Sequence, residues 1–357
     1  MGSPCRLVLV VLVAVLAVVA TAASAATAVA PAGPRLAVQT FRPFPDLSAI
    51  NTVGPNGEEP QLLVGGEGDD VIRPTLSRPA WSPDGSLLAF TSSRGEYSPV
   101  PYIVGAGGGK PRLVSKTTVL SEPIFTPDGH WLTFLELRVV KGHFERPQIA
   151  ARDEYGVVVD WAIWKMSLNG RRFRQVTRWR RHQQLTPTSY SPGGRYLAAE
   201  RFDGRSEDAV VIDLKRHKVR VIAQGAEEPI FSPDGTRIAY VRTRYLPPEE
   251  REGNRSPGSS ALLVVPANLE GKPKRIARVK GGLAWPSWDP SGARIAFTTL
   301  KGGEPFLPSN PAEGNSVMQV NADGTCLDTL LSIEGRGHYE GVAWEPGSGR
   351  EAGPITC

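Results

Sequence analysis

Six times the chain places an aromatic residue, then a small or acidic residue, then proline, ahead of a glycine. The copies are Trp81-Ser82-Pro83-Asp84-Gly85, Phe125-Thr126-Pro127-Asp128-Gly129, Tyr190-Ser191-Pro192-Gly193-Gly194, Phe231-Ser232-Pro233-Asp234-Gly235, Trp288-Asp289-Pro290-Ser291-Gly292 and the degenerate Trp344-Glu345-Pro346-Gly347-Ser348-Gly349. Proline presets one φ and glycine admits a left-handed one, the two properties a tight hairpin needs. Behind each turn the residues alternate in the strand period, as in Ser86-Leu87-Leu88-Ala89-Phe90 and Thr236-Arg237-Ile238-Ala239-Tyr240. Large apolar residues at every second position direct one strand face into a core. Each unit continues with another apolar strand, a polar turn and a further strand, for example Ala209 to Asp213, Lys215 to Lys218 and Val219 to Ile222. Long-period repetition of four-stranded units predicts an all-β, six-bladed propeller.

The sixth copy has too little chain behind it to finish a blade, because only eight residues follow Gly349. The missing strands are expected at the other end. Gly33-Pro34-Arg35-Leu36-Ala37-Val38 matches the second-strand pattern Gly292-Ala293-Arg294-Ile295-Ala296-Phe297. Ala49 to Gly57 and Gln61 to Val64 supply the next strand, its turn and the last strand. The final blade is then closed by strands from both termini, with Val342 to Trp344 innermost, and no blade edge stays open.

Outside the repeat the chain changes character. Arg6 precedes a run of Leu, Val and Ala from Leu7 to Ala20, and Ala23-Ser24-Ala25 follows. That pattern is a secretory signal peptide over residues 1–25, cut near Ala25–Ala26, with a linker at 26–33, the propeller at 34–346 and a tail at 347–357. The mature chain is then secreted or periplasmic, at the cell envelope, with no stable membrane span. An uncleaved N-terminal anchor is the alternative, if the apolar stretch extends to Ala30. Export leaves Cys326 and Cys357 as a pair in a compartment that permits disulfides. Cys326 directly follows the turn Asn321-Ala322-Asp323-Gly324-Thr325, on the face of the Pro-x-Gly turns, and the tail is long enough to return there. A Cys326–Cys357 bridge is expected to clasp the ring closure.

The Pro-x-Trp-Ser-Pro-Asp-Gly-x-x-Ile-Ala-Phe repeat, followed by a Val-Asn-Ala-Asp-Gly turn at 320–324, resembles the six-bladed propeller of TolB-like proteins, over roughly residues 34–346. The resemblance implies the fold and constrains the task little, since fold and function separate readily in such scaffolds. No counterpart of the TolB N-terminal accessory domain is expected between Ala26 and Gly33.

Propeller topology sorts the loops. Successive anchor aromatics are 44, 65, 41, 57 and 56 residues apart, and the extra length falls in second-to-third-strand loops near 138–161, 242–260 and 300–315. All three emerge on the face opposite the Pro-x-Gly turns, where such scaffolds carry function. The residue three before each anchor aromatic is expected to ring the channel there: Arg78, Glu122, Pro187, Glu228, Trp285 and Gly341. Arg78, Glu122, Glu228 and Trp285 are the candidate ligand-binding set, with no catalytic residue assigned. His143, His182 and His338 fall in loops of the same face and form a weaker, metal-binding alternative. Arg178-Trp179-Arg180-Arg181-His182 reads as a basic, solvated loop.

A formal charge of +5 with no long Lys/Arg block argues against a nucleic-acid partner. The reading is a monomeric, cofactor-free, non-catalytic module that binds a protein, small-molecule or carbohydrate ligand in the envelope. The alternative is an enzyme with a channel-mouth site, a metal-assisted lyase or hydrolase. A prolyl-oligopeptidase-like peptidase is disfavoured, because Gly-x-Ser-x-Gly is missing from the sequence, as is His-Glu-x-x-His.

Overall fold

The repeated turn is built from hydrogen bonds that span at most five residues. In the first copy Ser82 N–H donates to Leu87 O (2.8 Å) and Gly85 N–H to Ser82 O (2.9 Å), while Leu87 N–H donates to Ser82 Oγ (2.9 Å). Ser82 Oγ donates to Asp84 Oδ1 at 2.6 Å, and the same oxygen takes Ser86 N–H at 3.1 Å. Gly85 closes the turn at φ 70°, a region that strains any residue with a Cβ. Ser232 and Asp234 repeat these bonds in the fourth copy. In the fifth the two residue types change places: Asp289 accepts Arg294 N–H at 2.9 Å, and Ser291 Oγ donates to Asp289. The bonding pattern persists while its residues change.

The computed structural model describes residues 34–43, 46–65, 78–92, 99–141, 158–181, 183–204, 206–247, 257–300, 316–333, 338–346 and 353–357. All of them fall in the unit Pro31–Cys357. The expected leader and linker lie outside these residues, as do His143, His182, most of the three long loops and 347–352 of the tail.

The chain opens with β1 (Leu36–Pro43), β2 (Asp46–Val53) and β3 (Gln61–Val64). Blade one follows as β4 (Ala80–Trp81), β5 (Leu87–Ser92), β6 (Val100–Gly105) and β7 (Gly108–Leu113). Blade two holds β8 (Ile124–Phe125), β9 (Trp131–Lys141), β10 (Val158–Ser167), β11 (Phe173–Gln175) and the short β12 (Arg180–Arg181). Blade three is β13 (Gln184–Tyr190), β14 (Tyr196–Phe202), β15 (Glu207–Asp213) and β16 (Lys218–Gln224). Blade four is β17 (Glu227–Phe231), β18 (Arg237–Tyr245), β19 (Pro257–Pro266) and β20 (Lys274–Lys280). Blade five is β21 (Gly282–Trp288), β22 (Arg294–Leu300), β23 (Ser316–Asn321) and β24 (Asp328–Ser332), and β25 (His338–Trp344) comes last.

Each blade is an antiparallel sheet, and the sixth has the order β25-β1-β2-β3. Leu36 faces Trp344 across it, so the last blade is split between the two ends as the repeat requires. The innermost strands β4, β8, β13, β17, β21 and β25 neighbour one another in that order, and β25 returns to β4. The ring is closed.

Its core sits between blades. Each neighbouring pair shares one hydrophobic cluster, such as Leu88 and Phe90 of blade one against Leu63 and Ala343 of blade six. Burying a side chain of this size stabilises the fold by about 1.5–3 kcal/mol. The anchor aromatics stitch the wedges. Trp81 Nε1 donates to Ala343 O (3.0 Å) and Trp288 Nε1 to Ile230 O (3.4 Å), in each case the residue before the anchor aromatic of the preceding blade. Arg237 lies over Trp288 and Arg294 over Trp344, each 4.8 Å from the ring centroid.

Two details extend this plan. The basic stretch read as a solvated loop is partly a fifth strand, because β12 pairs with β10. The buried Asp160 draws it in, taking Arg181 Nε at 3.3 Å and Arg138 Nη2 at 2.8 Å, and Arg138 lies 4.6 Å from the Trp179 ring. A buried carboxylate needs such partners. At the other end, Cys326 and Cys357 are disulfide-bonded with Cα atoms 5.3 Å apart. Asn321 holds the same tail through both side-chain atoms, Nδ2 to Ile355 O and Oδ1 from Ile355 N–H, each at 2.8 Å.

Candidate functional site

The innermost strands β13, β17 and β21 each begin with a flaw, and the flaws help to build the site. The pairing register slips between Pro187 and Ser189 in β13, between Glu227 and Ile230 in β17, and between Ala284 and Ser287 in β21. A bulge leaves one residue unpaired and re-aims its side chain. Glu228 and Trp285, which occupy the same repeat position, both sit at φ 54°. That conformation costs a non-glycine residue about 1–2 kcal/mol, and such strain gathers where a protein holds a side chain for use.

These strand openings surround a cavity of about 460 Å³. Arg78, Glu122, Pro187, Glu228 and Trp285 all line it; Gly341 does not. Arg78 spans the channel from blade one. Its Nη1 lies 3.4 Å from Glu228 Oε2 in blade four, and its Nη2 donates to Pro286 O in blade five at 3.0 Å. Glu228 also accepts the backbone N–H of Trp285 on its carboxylate and gives its own N–H to Glu200 Oε1 at 2.7 Å. One side chain therefore joins three blades.

The cavity is richer in acid than the repeat position alone indicates. Glu200 of β14, Glu207 of β15 and Glu227 of β17 line it as well, and Tyr245 Oη donates to Glu227 Oε1 at 2.9 Å. Burial pushes the Glu228 carboxyl up; Arg78 draws it down, Glu122 and Glu227 raise it again, and it rests at about 7. Glu200 is raised well above the ordinary carboxyl range by burial, then by Glu228, Glu227 and Glu122. A carboxyl that stays protonated near neutrality can donate a hydrogen bond as well as accept one.

Glu200 carried a signal in the sequence. It occupies the place held by Thr91, Leu135, Val241, Thr298 and Gln39 in the other second strands, and it is the one acid in that row. Facing Thr186 across the β13–β14 pair brings it beside the bulge. The histidine alternative fares differently. His338 stands on β25, where its Nε2 lies 3.5 Å from Glu340 Oε1 and its ring 5.2 Å from that of Phe41. Among the described residues no group of three or more His, Cys, Asp or Glu is placed to hold a metal ion.

The chain matches no protein-family model. Among solved structures it is similar to TolB from Acinetobacter baumannii, with a TM-score of 0.62 and 17% identity over 88% of this chain and 67% of that one. It is similar to a putative TolB from Agrobacterium tumefaciens, with a TM-score of 0.55 and 17% identity over 87% and 98%. A chain of a nidogen/laminin complex aligns with a TM-score of 0.54 and 9% identity over 88% and 99%. At these identities the likeness is one of fold: a TolB-like six-bladed β-propeller.

Proposed function

We propose that this propeller is a non-catalytic binding module of the cell envelope whose ligand or partner seats at the channel mouth. The observation that carries the reading is the convergence of Arg78, Glu122, Glu228 and Trp285, from four different blades, on one cavity. Two of these residues are held there on left-handed backbone. Arg78 and Glu228 brace each other across the ring, and a surface fixed before its ligand arrives loses less freedom on binding. The leader-like residues 1–25 support export, and among the described residues no helix is long and apolar enough to cross a membrane. The metal-assisted alternative rests on His143, His182 and His338, of which the first two lie outside the described residues.

Affinity capture from a native cell-envelope extract tests the proposal. A partner retained by the parent chain should be lost from Glu122→Lys and from Trp285→Gly, the glycine being free to keep φ at 54°. The exposed Arg171→Gln serves as control. Capture unchanged in both site variants places the site elsewhere.

A further inference from the structure

The cavity is rich in acid. Among the described residues Glu122, Glu200 and Glu228 line it together with the guanidinium of Arg78. This happens in a chain whose formal net charge is +5, so the acidity is local. Arg78 is already committed, to Glu228 at 3.4 Å and to the Pro286 carbonyl at 3.0 Å. Glu227 receives the neutral hydroxyl of Tyr245, and Glu200 receives the backbone N–H of Glu228. The Glu122 carboxylate makes no hydrogen bond or ion pair among the described residues. Carboxylates this close relieve their repulsion by taking up protons or by taking up a counter-charge.

Trp285 says what kind of counter-charge. Its side chain is 7% exposed and lines the cavity, and its indole N–H makes no hydrogen bond among the described residues. An indole face attracts organic cations more strongly than any other aromatic ring, and its N–H is a pure donor that suits a peptide carbonyl. A bare metal ion would use neither property. Ile124, Pro187 and Leu283 add an apolar wall beside the acids. A long basic side chain fits such a surface, laying its methylene stem on apolar groups and its head among charges. The volume of about 460 Å³ lies within the range of roughly 300–1,000 Å³ that binding pockets span.

We infer that the channel mouth receives a lysine or arginine side chain presented by an extended segment of a partner protein. The inference rests on the binding-module reading and names the chemistry of its partner. The charged head meets the carboxylates, and the backbone beside it offers a carbonyl to Trp285.

Titration calorimetry of the full chain with short peptides that differ at one central residue tests it. Lysine and arginine peptides should bind, the norleucine peptide about tenfold more weakly, and the glutamate peptide more weakly still. Glu122→Gln and Trp285→Gly should each weaken the lysine peptide by about fivefold, with Arg171→Gln unchanged. Equal binding of lysine and norleucine peptides overturns the inference, as does preference for glutamate. It also fails if neither basic peptide binds to chain whose circular dichroism is that of folded protein. An envelope partner that still depends on Glu122 and Trp285 in that last case leaves the binding-module reading standing.

Discussion

The acids of the Pro-x-Gly turns and the acids of the channel mouth stand at opposite ends of the innermost strands and are held in opposite ways. Asp84 is drawn down to about 2, chiefly by the Ser82 hydroxyl and then by Ser86. At Asp234 burial acts upward, yet hydrogen bonds from Ser232 and Thr236 hold it at about 2. At the other end, burial and neighbouring carboxylates push Glu200 and Glu228 up. The turn acids accept every bond their charge calls for, so their ionised form supports the fold. Glu200 and Glu228 are buried among neighbouring carboxylates, so their ionised form opposes it. A repeat unit thus spends one end on stability and leaves the other end unsatisfied, which is where a ligand has something to offer.

The largest test of this contrast is to break the turn face at its covalent point. Reducing Cys326–Cys357, or changing both residues to serine, should cost about 3–4 kcal/mol in the chain-entropy account of a loop whose ends are 31 residues apart. Urea unfolding reads this directly, and peptide binding at the far face should persist under conditions where the variant is folded. Next in size, Ser232→Ala removes the acceptor of Arg237 N–H and a donor to Asp234, and should cost about 1–3 kcal/mol. An effect near zero would mean that water replaces the hydroxyl and that the turn is not where stability resides.

The smallest effect carries the sign. Glu200 faces Glu228, Glu227, Glu122 and the N–H of Glu228, and its carboxyl is raised in the folded chain. A raised carboxyl opposes folding once pH exceeds the unfolded value, because the unfolded chain ionises first. Glu200→Gln should therefore unfold at higher urea than the parent at pH 8 and at the same urea at pH 4. The turn acids run the other way: their stabilisation is present above the ordinary Asp value near 4 and disappears as pH falls toward 2. A variant less stable than the parent at pH 8 would show that Glu200 is satisfied and that the contrast fails.

What the sequence made legible follows the range of the interactions. The turns were readable because Ser82 meets Asp84 and Leu87, partners at most five residues away. The split blade was readable because Leu36-Ala37-Val38 and Ile295-Ala296-Phe297 obey one pattern. Arg78, Glu122, Glu228 and Trp285 were reachable because each stands three residues before its anchor aromatic, the position at which the innermost strand meets the channel. Glu227 and Tyr245 were not, since their meeting depends on how β17 pairs with β18 beyond the slip at Glu227. Gly341 shares the offset but brings no side chain, and the cavity lies toward blades three to five. The fifth strand of blade two was hidden for a similar reason: only the pairing of Asp160 with Arg181 turns a basic stretch into a strand.

The split blade also has a consequence for biosynthesis. β1 emerges from the ribosome early, yet its partner β25 is made about 300 residues later, an interval of roughly 15–60 s at ordinary rates of elongation. Until β25 is made, β1 lacks the strand that pairs its inner edge, and Leu36 and Val38 lack neighbours that bury them in the folded chain, Tyr339, Val342 and Trp344 among them. Blades one to five can assemble in order behind it, each on the wedge left by the last. The opening strands cannot be finished until the end, so the segment made first is among the last to be protected, and quality control has longest access to it.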